Sequence, residues 1–123
     1  RAYCEKRREY LDFVMSRFRG VPDLLDTSEH GRDSDEEWNR IVEVVITPNP
    51  RLTEKQQAII AEDYAMQNGQ LRFTQRVPLV HYALDRMQIN YGIQQEIRPS
   101  ICPLVLANRN ELIAQGCTFR ISN

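Results

Sequence analysis

Hydrophobic and polar positions are most regular in the middle of the chain. Ile41–Thr47 (IVEVVIT) is largely β-branched and is halted by Pro48-Asn49-Pro50, which predicts a strand. Thr53 followed three residues later by Gln56 is a capping-box pair. It predicts a helix that runs through Met66 and ends at Asn68-Gly69. Ile59, Ile60, Asp63 and Tyr64 trace its inner edge imperfectly, because Asp63 belongs in water. Leu71, Phe73 and Val77 alternate with Arg72, Thr74 and Arg76 in the manner of a half-buried strand. Pro78 suits the first turn of a second helix, where Leu79, Val80, Ala83, Leu84 and Met87 recur at helical spacing up to Asn90-Tyr91-Gly92. Pro99 and Pro103 break the segment that follows. Leu104–Ala107 is then a short apolar run, and Thr118–Ile121 a candidate last strand. The order β-α-β-α, followed by short pieces, predicts an α/β (α+β) sandwich with helices over one sheet.

The amino-terminal part is less clear. Arg1-Ala2-Tyr3-Cys4 and Tyr10–Phe18 flank a charged turn, Glu5–Glu9. Leu11, Phe13 and Met15 alternate as in a strand, but Tyr10, Phe13, Val14, Arg17 and Phe18 also fit a helix, so periodicity leaves this segment open. From Arg19 to Glu37 the chain carries Gly20, Pro22, Gly31 and the run Asp33-Ser34-Asp35-Glu36-Glu37, with few apolar residues. That stretch reads as a solvated acidic linker between two structural units. The chain opens on Arg1 rather than Met, directly into an expected strand, and is expected to be part of something longer.

Charge sharpens this division. The 123 residues carry a net charge of −1, yet residues 1–19 carry +3 and residues 20–50 carry −6. Arginine outnumbers lysine fourteen to two. A guanidinium binds phosphate or carboxylate in bidentate fashion, which an ammonium does not. If the two opening segments pair as a hairpin, Arg1, Tyr3 and Arg17 come close in space, a combination suited to a nucleotide or other anion. Composition alone favours the plainer reading, a charged hairpin facing water.

Other chemistry finds little support. Cys4, Cys102 and Cys117 are odd in number and lack CxxC spacing, which fits small buried thiols in a reducing cytoplasm rather than a disulfide framework or zinc site. His30 and His81 have no HExxH or HxH partner, so no metal is expected. No GxGxxG, GxxxxGK or GxSxG is present, and no nucleophile with its base can be assembled, so neither catalysis nor a cofactor is expected. No apolar run approaches the roughly 18 residues of a membrane span. A chain of this length buries roughly two-thirds of its unfolded surface, enough for one core.

Five motifs in order carry a resemblance. Arg1-Ala2-Tyr3-Cys4, the charged turn and Tyr10-Leu11-Asp12-Phe13-Val14-Met15-Ser16-Arg17-Phe18 resemble the closing strands of a WYL domain. Asp35–Asn39 with Val42–Pro50, Arg51-Leu52-Thr53 through Met66, Val77–Leu84 and Val105-Leu106-Ala107-Asn108-Arg109 resemble the C-terminal extension of WYL-family regulators, called WCX. The resemblance implies strand for Tyr10–Phe18. It implies a final hairpin of an Sm-like WYL barrel at residues 1–19, an acidic linker at 20–38 and a ferredoxin-like WCX domain at 39–123. The function it implies is the ligand-sensing and dimerising end of a bacterial transcription regulator, acting as a homodimer in the cytoplasm. The effector would be an anion, a single-stranded nucleic acid or a nucleotide, and operator DNA would be reached only through an N-terminal winged helix. Arg1 and Arg17 are the first candidates for ligand contact, followed by Tyr3, Arg7, Arg8 and Arg19. Leu11 stands where the family often has arginine, which removes one candidate contact. The resemblance does not place the tail after Glu111. The rival reading is a ligand-free homodimerisation domain.

Overall fold

β-Branched residues concentrate in one strand, and the rest of the domain is built around it. A computed structural model describes residues 1–89 and 102–119. In it β3 (Ile41–Pro48) is the centre of a three-stranded antiparallel sheet, between β4 (Leu71–Arg76) and β5 (Leu104–Leu106). Its register runs from Ile41 opposite Arg76 to Ile46 opposite Leu71 on one side, and from Ile46 opposite Leu106 to Pro48 opposite Leu104 on the other. Period-two alternation sends Val42, Val44 and Ile46 inward, where Val77, Val80, Leu84, Ile89, Leu104, Leu106, Leu112 and Cys117 complete the core. Arg72 and Glu43 pair at 2.6 Å on the exposed side.

Pro48-Asn49-Pro50 stops β3 through Asn49, whose side chain is buried. Its Nδ2 donates to the Cys102 carbonyl at 3.0 Å and its Oδ1 accepts from the Arg51 N–H at 3.0 Å. The chain then turns into α2 (Glu54–Asp63), opened by the expected capping box. Thr53 Oγ1 accepts from the Gln56 N–H, and Gln56 Oε1 accepts from the Thr53 N–H. α2 ends at Asp63, short of Met66, because Ala65 already takes φ 51° and breaks the helical hydrogen-bond run. Of the four residues expected to face inward, Ile60 packs on the core, whereas Ile59 and Tyr64 are exposed, as is Asp63. No residue of α2 is fully buried.

A tight turn through Asn68 and Gly69, both with positive φ, leads into β4. β4 alternates as expected, with Leu71 and Phe73 half-buried and Arg72 and Thr74 exposed. Pro78 lies in a 3-10 turn, Val77–Leu79, that feeds α3 (Val80–Arg86), in which Val80 and Leu84 are buried. Gln88 adopts φ 58°, so this helix stops before the Asn90–Gly92 stop signal, which lies outside the described residues with Pro99. After β5 comes α4 (Arg109–Ala114), an element the sequence reading did not place. Its single buried residue, Leu112, offers no periodicity to read. Thr118 and Phe119 are not in a strand, and residues 120–121 of the candidate last strand lie outside the described residues.

The domain is therefore α+β with the expected β-α-β-α order, compatible with a ferredoxin-like arrangement. Ahead of it, β1 (Ala2–Cys4) and β2 (Glu9–Leu11) form a separate antiparallel hairpin that does not close into a barrel. The expected strand over Tyr10–Phe18 holds only as far as Leu11. Met15–Arg17 forms a 3-10 turn instead, and β1 offers only three residues to pair with. A lone two-stranded pair has little to sustain it further.

Asn108 finishes the sheet beyond β5. Its Oδ1 accepts from the Val45 N–H at 3.0 Å and its Nδ2 donates to the Glu43 carbonyl at 2.8 Å, beside the Ala107 N–H bond to the Val45 carbonyl. Asn108→Ala strands both backbone groups and is expected to lower stability by about 1–3 kcal/mol, read as a shift of the urea unfolding midpoint at unchanged slope.

Candidate functional site

The hairpin is bonded to the rest of the chain through Arg1 just ahead of β1, Tyr10 of β2 and Asp12 just beyond it. Arg1 grips Asp35 with a fork: Nε donates to Oδ2 at 2.7 Å and Nη2 to Oδ1 at 3.1 Å. Nη2 also donates to Glu37 Oε2 at 3.1 Å, and Nη1 stands 4.0 Å from Asp12 Oδ1. The Arg1 side chain is only 13% exposed and that of Asp35 5%. Asp35 is placed there because it is the N-cap of the short helix α1 (Glu36–Asn39), its Oδ1 accepting from the Trp38 N–H at 3.2 Å. The hydrogen bonds from Arg1 hold the Asp35 carboxyl below the usual carboxylate range, against the opposing effect of burial. The same bonds raise the Arg1 guanidinium. Asp35 was expected in a solvated linker. It is buried instead, because a partner 34 residues away removes it from water.

Aromatic contacts add to this grip. Tyr10 Oη lies 2.7 Å from Ser34 Oγ and donates to the Gly31 carbonyl at 3.2 Å. Tyr3 packs edge-on to Tyr10 and stacks on His30, with ring centroids 3.6 Å apart. Tyr82 of α3 donates to Asp12 Oδ2 at 2.8 Å. Arg76 lies over the Trp38 ring at 4.9 Å and donates to the Trp38 carbonyl at 2.8 Å. A cleft of about 470 Å³ opens here, lined by Arg1, Tyr10, His30, Arg32, Trp38 and Tyr82 among others. Trp38 Nε1 is buried without a hydrogen-bond partner among the described residues.

Of the residues picked from sequence, Arg1 and Tyr3 stand at this junction, with Arg1 already held by carboxylates. Arg7 lines a second cleft of about 350 Å³ beside Arg1, Pro78 and His81. Arg8 sits at the hairpin turn with φ 55°, its N–H donating to the Cys4 carbonyl. Arg17 was expected to converge with Arg1 and Tyr3 on paired strands. It lies in the 3-10 turn, exposed, and lines neither cleft. Arg19 is exposed in the segment that follows. The sequence reading missed Asp35, Trp38, His30, Arg32 and Tyr82. For Asp35 a signal existed, an N-cap residue three positions ahead of Trp38.

Other chemistry is sparse among the described residues. No group of three or more His, Cys, Asp or Glu is placed to hold a metal, and no helix is long and apolar enough to cross a membrane. Cys102 and Cys117 are buried free thiols, and burial raises the Cys117 thiol above its ordinary range.

The family model for the BrxR transcriptional regulator C-terminal dimerization domain matches residues 41–112, from the start of β3 into α4. The chain belongs to this family. The BrxR-type match covers the sheet, α2, α3 and most of α4, and leaves the hairpin and residues 20–40 outside it. Similar curated proteins include the DNA-binding transcriptional repressor CapW of Pseudomonas aeruginosa, 35% identical over 91% of this chain and 37% of that protein. CapW of Escherichia coli is 32% identical over 93% of this chain and 38% of its own length. CapW of Stenotrophomonas maltophilia is 28% identical over 72% and 30%. The chain thus spans less than two-fifths of the length of these relatives. The expected assignment to the C-terminal part of a transcription regulator holds at this level, and the barrel does not follow from it.

The junction between hairpin and BrxR-type domain makes a specific prediction. Asp35→Ala removes the cap and both bonds of the fork, leaving Arg1 only its more exposed partners Glu37 and Asp12, so the hairpin is expected to undock before the core unfolds. Amide exchange should accelerate about tenfold or more in residues 2–11 while residues 41–48 keep their protection. The Asp35 carboxyl titrates lower when docked than when free. Its contribution is therefore full above the free value of about 3.9 and is lost as pH falls through the lower docked value. Docking followed by exchange should hold at pH 5 and weaken only below about pH 4.

Proposed function

We propose that this chain is the dimerising and effector-responsive end of a cytoplasmic, non-catalytic transcription repressor. Residues 39–123 form the dimerisation domain, residues 1–19 the last hairpin of a WYL-like sensor, and residues 20–38 the connection. Family membership supports a homodimer. α2 buries no residue fully in its own core and leaves Ile59 half exposed, which suits a helix completed by a second copy. The effector in this reading is an anion, a single-stranded nucleic acid or a nucleotide, contacted by Arg1, Tyr3, Arg7, Arg8, Arg17 and Arg19. Arg7, Arg8, Arg17 and Arg19 form no ion pair among the described residues. Operator DNA is contacted by the part of the regulator that this chain does not contain.

The observation that carries the reading is the bonded junction. Arg1, Tyr10 and Asp12 join the hairpin to Asp35, Ser34 and Tyr82, so a ligand that shifts the hairpin acts on the dimerising domain. It shifts the dimer only through unequal affinity for two arrangements. One observation favours a ligand-free homodimerisation domain instead: the guanidinium of Arg1 is already met by acids.

Sedimentation equilibrium is expected to show a dimer, weakened about tenfold or more by Ile59→Glu. A monomer at every accessible concentration rules out dimerisation by this chain. Titration with a labelled short oligothymidylate is expected to show binding that weakens in Arg17→Ala. Equal binding by both versions removes Arg17 from the site.

A further inference from the structure

Of the two arginines that lead the candidates for effector contact, Arg1 already has its donors engaged. Nε and Nη2 of Arg1, the edge that fits two oxygens of a carboxylate or phosphate, are both on Asp35. Nη2 is shared with Glu37, and Asp12 faces Nη1. Three carboxylates outnumber this one guanidinium, which disfavours an approaching anion at the fork itself.

We infer that Asp35, seconded by Glu37, is a built-in competitor for the effector: it occupies the Arg1 fork as a phosphate group would, so carboxylate and phosphate exclude each other there. The inference rests on the reading above, that the hairpin arginines serve an anionic effector, and adds how that site is regulated.

Release of Arg1 has a structural consequence. Asp35 is only 4% exposed, and a carboxylate left without its cation at that depth is strongly disfavoured. The single remaining bond from the Trp38 N–H does not neutralise it. The start of α1 must therefore move toward water when the fork is taken. α1 is tied directly to the BrxR-type domain, because Arg76 of β4 donates to the Trp38 carbonyl and the Val77 N–H to the Arg40 carbonyl. Exchange of one oxyanion for another at Arg1 becomes a displacement at the root of β3.

The test is a titration of the full chain with labelled short oligothymidylate, and separately with thymidine triphosphate, in wild type, Asp35→Asn and Glu37→Gln. Asp35→Asn keeps a cap acceptor but gives up the charge. Glu37 is 60% exposed, so Glu37→Gln leaves folding intact. Affinity is expected to rise about tenfold in Asp35→Asn and by less in Glu37→Gln. Arg1→Ala added to Asp35→Asn should cancel the gain. A gain for one probe but not the other supports the competitor and tells polymer from free nucleotide. Wild-type binding that neither substitution strengthens overturns the competitor and leaves the effector reading standing. Absence of binding by every version overturns both.

Discussion

A carboxylate withdrawn from water must find a cation or lose its charge, and this constraint organises the amino-terminal half of the protein. Asp35 meets it with Arg1, and in doing so fixes where the hairpin sits. The same carboxylate caps α1, so one side chain sets both the start of a helix and the position of a distant strand pair. Tyr10, Tyr3 and Asp12 then have neighbours to meet, because the main alignment is already made. Without that pair the hairpin is two three-residue strands with little apolar surface to hold them in place.

The BrxR-type domain follows a different logic, in which burial of apolar side chains comes first and polar groups tidy the ends. Val42, Val44 and Ile46 supply the centre of the core, and Asn49 and Asn108 satisfy backbone groups where the strands stop. Anchoring one region by a charge pair and the other by packing gives them different sensitivities. An ionic junction responds to added charge, whereas an aliphatic core does not. That difference is what the proposed response to an anion would require.

How much of this was legible depended on the range of the signal. The IVEVVIT run, the Thr53–Gln56 box and the alternation of β4 are written within a few residues, and each forms where expected. α2 ended early because Ala65 adopts a left-handed conformation that alanine rarely takes, so composition gave no warning. α4 was unreadable from periodicity, with one buried leucine in six residues. Tyr10–Phe18 was over-extended because a resemblance to closing strands implies neighbours that a three-residue partner does not provide. Asp35 looked like one of several solvated acids, since its burial depends on a residue 34 positions away. Arg1 was picked for contact with an external anion, and the oxyanions it holds here belong to this chain.

The amide of Asn108 has an implication for how copies of the domain come together. By answering Val45 and Glu43 where β5 runs out, it plugs the ledge on which a foreign strand would otherwise settle. Strand-by-strand zippering at that margin is thereby barred. In the dimer proposed above, with the flank of α2 against a second copy, partners would meet as finished bodies and could part again without tearing the sheet.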